Sequence, residues 1–189
     1  MEKGGLRDFN KKLKTLKEYI ALATVSASKY NETNIKIIKN LTEKEKTPGV
    51  YVTLNKPFAT MQSILKKNQI DERMVIFVDG VTKIGDDEVK KTKNCLFIGS
   101  PEKLSDISIA MDQAVRSIPT KEKFVFFDSL STLLVYNKSE TVAKFIHFLA
   151  TKMRAWKVKG IIISLEREKN KDLIDKLSQV CDIIMEIEK

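Results

Sequence analysis

Seven short runs of Val, Ile, Leu and Phe, set apart by amphipathic stretches, constrain this chain more than any other feature. They are YIALATV (Tyr19 to Val25), GVYVTL (Gly49 to Leu54), RMVIFVDG (Arg73 to Gly80), NCLFIGS (Asn94 to Ser100), KFVFFDS (Lys123 to Ser129), GIIISLE (Gly160 to Glu166) and CDIIMEI (Cys181 to Ile187). A strand with one wet face alternates apolar and polar residues; these runs do not, which suits strands covered on both sides. Between them, apolar spacings of three and four mark helices at 34–40, 57–68, 101–118, 138–156 and 170–180. Strands alternating with helices predict a three-layer α/β/α sandwich around a mainly parallel sheet of about seven strands. Pro57 and Pro101 stand near the first turns of their helices, and Gly49 and Gly160 read as helix-ending or turn residues ahead of strands.

A length of 189 residues is enough for one domain and leaves little room for a second, so 1–189 reads as a single unit. Residues 1–18 read as an amphipathic helix and 19–189 as the core. Leu6, Phe9, Leu13 and Leu16 lie on one side of that helix, with Lys11, Lys12, Lys14 and Lys17 around the other. The short apolar stripe favours docking on the domain's own sheet edge over a membrane surface or a partner. Gly80 to Asn94 is the long polar connection and reads as a mobile loop.

Composition narrows the chemistry. No apolar stretch reaches the roughly 18 residues of a membrane span, and the start of the chain lacks a signal peptide's apolar core, so a cytoplasmic location is expected. Cys95 and Cys181 each adjoin an apolar run and read as reduced, buried thiols. The one histidine, His147, falls off its helix's apolar stripe, has no nucleophile in a recognisable motif beside it, and reads as a surface or boundary residue. With no Cys/His cluster, no metal site is expected. The net charge of +9 invites nucleic-acid binding, but only five of 34 basic residues are Arg and the lysines are scattered among acids, as on a solvated surface.

The segment FVFFDSLSTLL puts Asp128 at the end of an apolar strand, followed by Ser129. Ligands of open parallel sheets sit at this end, and a carboxylate there holds the magnesium-associated water of nucleotide-binding α/β domains. From Tyr19 onward the chain resembles the RecA-superfamily ATPases, most closely their KaiC-like branch in archaea and bacteria. The resemblance rests on VYVTL as the strand after the phosphate-loop helix, SPEKLSDISIAMDQAV as the helix before the Walker B strand, FVFFDSLSTLL as Walker B, VKGIIISLE as the next strand and CDIIMEI as the last.

That resemblance implies a phosphate-binding loop at SASKYNET. The motif G-x-x-x-x-G-K-[ST] uses glycines to wrap backbone N–H groups round phosphates, Lys to neutralise them and a hydroxyl to hold Mg²⁺. Here Ser26 and Asn31 fall on the glycines, Glu32 on the lysine and Thr33 on the hydroxyl. A carboxylate in place of a cation reverses a contact worth about 4 kcal/mol at about 4 Å and an effective dielectric near 20. Where the related ATPases carry a catalytic glutamate after the next strand, this chain reads YVTLNKP, and Asn55 cannot act as a general base.

The sequence therefore argues against ATPase activity and assigns no catalytic residue. Thr33, Asp128, Ser129 and Lys29 remain as a vestigial nucleotide site, with Asp128 and Ser129 also readable as residues capping the next turn. The expected function is a catalytically inactive KaiC-like module that binds protein in regulation or signal transduction, without cofactor. Its partner could be an active relative, in a hetero-oligomer, or the chain could be monomeric. Two alternatives stand beside it: binding or hydrolysis of ATP with Mg²⁺ by a divergent loop, and nucleic-acid binding.

Overall fold

All seven apolar runs contain strands. The computed structural model describes residues 2–85, 89–165 and 171–188, and in it the runs supply β2 (Tyr19–Val25), β3 (Gly49–Thr53), β4 (Val75–Asp79), β5 (Cys95–Phe97), β6 (Phe124–Asp128), β7 (Lys159–Leu165) and β8 (Ile183–Ile187). Glu166 and Asn170, expected to end a strand and begin a helix, and residues 86–88 of the expected polar loop lie outside the described residues.

The strand count corrects from seven to eight, because Glu2–Gly4 form β1 where the sequence suggested helix. Gly4 and Gly5 are poor helix formers. The backbone instead pairs with the edge of β8, where the Lys3 ammonium meets Glu186 at 3.2 Å and Glu188 at 2.7 Å. The first helix is correspondingly short, α1 (Leu6–Leu13), and Leu16 lies beyond it, exposed. Phe9 and Leu13 are buried against the sheet, so α1 docks on its own domain.

The remaining helices are α2 (Tyr30–Lys39), which runs into a π-helical turn at Asn40–Lys44, α3 (Phe58–Lys67), α4 (Thr82–Gly85), α5 (Leu104–Ser117), α6 (Leu130–Tyr136), α7 (Ser139–Trp156) and α8 (Lys171–Leu177). The sheet order is β1-β8-β2-β7-β6-β3-β4-β5 and every neighbouring pair is parallel.

Alternate residues of each strand feed opposite cores, which is why the runs are apolar throughout. Ile20, Leu22, Val50, Val52, Val125 and Phe127 face α5, α6, α7 and α8. Tyr19, Ala21, Ala23, Tyr51, Phe77 and Phe126 face α1, α2 and α3.

Gly49 and Gly160 are not turn residues but lie within β3 and β7. A Cβ on Gly49 would stand 2.3 Å from the Phe124 ring, and one on Gly160 would stand 2.7 Å from the Met153 sulfur. Close packing, not conformational freedom, requires glycine there. The left-handed residue that ends α7 is Lys157, at φ 54°. Cys95 is buried, Cys181 is half-buried and both are free thiols, while His147 is exposed on α7. Among the described residues no helix is long and apolar enough to cross a membrane.

Candidate functional site

The loop after β2 and the ends of β3 and β6 meet at one carboxylate. Asp128 closes β6 and is fully buried. The Tyr51 hydroxyl donates to its Oδ2 at 2.5 Å, and the Tyr30 hydroxyl donates to Oδ1. The Asn55 amide donates to Oδ1 at 3.2 Å and to the Tyr30 oxygen at 3.1 Å, so the two tyrosines, the asparagine and the aspartate form one connected network. Both carboxylate oxygens carry donors, as a buried charge requires.

Local structure explains how each group arrives. Residues 26–33 contain no positive φ. The Lys29 N–H donates to the Ser26 carbonyl at 3.0 Å and the Thr33 N–H to the Lys29 carbonyl at 2.9 Å, so the chain makes an ordinary right-handed turn straight into α2. Glycine is not needed for such a turn. It delivers Tyr30, 7% exposed, as the first residue of α2. Tyr51 projects from β3 on the same face as Thr53, its ring stacked on Phe126 at 5.0 Å and tilted against Phe77 at 5.6 Å. Asn55 stands two residues past the end of β3, and the Leu54 N–H between them donates to the Asp128 carbonyl at 2.9 Å. Lys56 completes the cover, its ammonium 5.4 Å from the centre of the Tyr30 ring.

Electrostatics keep the phenols protonated. Burial, then the charge of Asp128, then the hydrogen bond to it raise the pKa of Tyr30 and Tyr51 well above the ordinary phenol value. Both therefore serve Asp128 as donors.

Lys29 and Glu32 stand apart from this network. Both are exposed, and Glu32 is held by Lys36 and by Lys29, the latter at 3.3 Å. Those two ammonium groups, Lys36 first, lower the Glu32 carboxyl below its usual range. Thr33 is buried in the first turn of α2. Ser129 begins α6, where its hydroxyl accepts the Thr132 N–H at 3.3 Å; the peptide joining it to Asp128 is cis. Of the two residues expected to cap the next turn, Ser129 does so, whereas Asp128 is satisfied across the sheet by tyrosines from other elements.

A parallel arrangement occupies the end of β4. Asp79 is fully buried and accepts from the backbone N–H of Phe58 at 2.6 Å, Val81 at 2.7 Å and Thr82 at 2.9 Å, which caps the starts of α3 and α4. Clefts of about 1000, 640 and 190 Å³ open elsewhere on the molecule, and none is lined by Tyr30, Tyr51, Asn55 or Asp128. Among the described residues no group of three His, Cys, Asp or Glu side chains could hold a metal ion.

The all-parallel sheet with helices on both faces gives the class: a RecA-like α/β/α fold of the KaiC-like kind, with Asp128 at the carboxyl edge of the sheet. A KaiC-like protein from the hyperthermophilic archaeon Pyrococcus horikoshii is similar at a TM-score of 0.64 and 13% identity, over 90% of this chain and 72% of that one. An uncharacterized protein from Pyrococcus horikoshii, solved in complex with an unknown peptide, is similar at a TM-score of 0.68 and 13% identity, over 95% of this chain and 82% of that one. No curated protein matches the sequence. The chain belongs to DUF7504, a family of unknown function whose model matches residues 41–187. Tyr51, Asn55 and Asp128 fall inside that span; the loop that carries Tyr30 precedes it.

Proposed function

We propose that this chain is a catalytically inactive RecA-fold protein that acts in the cytoplasm as a regulatory, protein-binding module, in signal transduction. The observation that carries the reading is the closed network at Asp128. In an active member of this fold class, loop N–H groups and a lysine cradle the phosphates, and the strand-end aspartate holds the metal's water. Here a tyrosine from that loop bonds the aspartate itself, and the residue in the lysine's place is Glu32, turned outward to Lys29 and Lys36.

A nucleotide with Mg²⁺ does not fit these residues. Opening the carboxylate would break three hydrogen bonds to a charged group, each worth about 1.5–3 kcal/mol, before any phosphate contact formed. Asn55 offers no base for water. Thr33, Ser129 and Lys29 are accordingly structural or surface residues of a vestigial site.

A RecA fold without turnover retains binding as its useful property. The peptide-bound Pyrococcus structure supports a protein-facing role for this architecture. We take residues 1–189 to act as one domain, as a monomer or beside an active relative. Calorimetric titration with ATP and Mg²⁺ tests the reading. No saturable heat is expected, and micromolar affinity would overturn it.

A further inference from the structure

The cleft of about 1000 Å³ lies between α1 and the α2–π-helix stretch, on the sheet face opposite α7. Six cations line it: Arg7 and Lys11 from α1 and Lys14 just after it, and Lys36, Lys39 and Lys44 from the other wall. Only two carboxylates, Asp8 and Glu43, accompany them. Lys36 is paired with Glu32, and Lys39 is paired with Glu43 at 3.9 Å and donates to the Asn68 carbonyl at 3.0 Å. The side chains of Arg7, Lys11, Lys14 and Lys44 have no ion-pair or hydrogen-bond partner among the described residues. Converging like charges on a concave surface repel one another and focus a positive field into the cleft, which a complementary anion relieves.

We propose that this cleft binds an acidic peptide segment of a partner protein. The inference deepens the protein-binding reading and rests on it. The lining contains no aromatic ring on which bases could stack and one arginine against five lysines, which disfavours single-stranded nucleic acid. Asp8 and Glu43 within the walls repel a phosphodiester backbone, which has no donors of its own. A peptide, by contrast, brings amide N–H groups to those carboxylates as well as acids to the lysines. The two helices make the walls, and Leu6 at one end gives an apolar side chain a place to rest.

The test uses the full chain and a fluorescein-labelled peptide of Glu-Ala-Glu-Leu repeats, read by anisotropy, with duplex DNA and phosphatidylserine vesicles as competing probes. The charge-reversed variant K11E/K14E/K44E alters exposed side chains, so its melting temperature should stay near that of the parent. Its affinity for the peptide is expected to fall at least about tenfold. The variant K66E/K67E/K121E carries the same net charge change on exposed residues outside the cleft and is expected to retain affinity. Equal losses in both variants, no measurable binding by the parent, or tighter binding of DNA or vesicles through the same lysines would each overturn the proposal. None of those results bears on nucleotide binding, which the calorimetric titration decides separately.

Discussion

Replacing Tyr30 by phenylalanine isolates the contact on which the closed site depends. The ring stays, so the packing of a side chain 7% exposed and its stacking with Lys56 are preserved. Only the hydroxyl goes, and with it the bond to Asp128 and the acceptor for the Asn55 amide. Asp128, fully buried, would then depend on Tyr51 and one longer bond from Asn55. Hydrogen bonds to buried charges are worth about 1.5–3 kcal/mol, so Y30F should cost about 2 kcal/mol. In a domain of this size that corresponds to a fall of about 4–8 °C in melting temperature. Y51F should cost a similar amount. The double variant should lose more than the sum, because the buried carboxylate then keeps only the Asn55 amide as a side-chain donor. Urea denaturation followed by far-UV circular dichroism, with the slope unchanged, measures these differences. Costs within about 0.5 kcal/mol for both single variants, the range of ordinary surface substitutions, would refute the reasoning.

Two further outcomes follow from the same geometry. Burial raises the folded-state pKa of Tyr19, Tyr30 and Tyr51 above the ordinary phenol value of 10.0. Their stabilising contribution is complete below that value and is lost as pH rises, because the unfolded chain releases protons that the native one keeps. Stability should therefore fall by about 1.4 kcal/mol per pH unit for each tyrosine above about pH 10. Flat melting temperatures from about pH 9 to about pH 11 would contradict this. Restoring the cation with Glu32→Lys should leave ATP binding undetectable by calorimetry, because Tyr30 still covers Asp128. Adding Tyr30→Gly should bring binding into the measurable range, and binding by the single variant would contradict that order of events.

The sheet was legible because each strand is covered twice. Every residue from Tyr19 to Val25 and from Phe124 to Asp128 is buried, so the runs stand out against the helices. β1 was not, since its three residues carry no apolar signal and are held by backbone pairing and by Glu186 on β8 and Glu188 just beyond it. Helix α6 was hidden inside a stretch readable as a motif. At the site, the sequence located Asp128 and the altered loop by comparison with a family pattern. It missed Tyr30 and Tyr51, because the pattern assigns them no role and their convergence spans 98 and 77 residues of chain. One signal was present: Tyr51 shares the period-two face of Thr53, pointing toward α2, and Tyr30 is the bulky residue inside a loop that normally needs space.

Tyrosine hydroxyl protons report on the sealed carboxylate without intermediaries. In protein carrying isotope-labelled tyrosine, proton magnetic resonance should show downfield, slowly exchanging hydroxyl signals from Tyr30 and Tyr51 that vanish in Y30F and Y51F respectively. Saturating ATP with Mg²⁺ should leave both signals in place. Their loss or displacement on adding nucleotide would mean that Asp128 exchanges its tyrosines for a ligand, and the account of a closed site would be wrong.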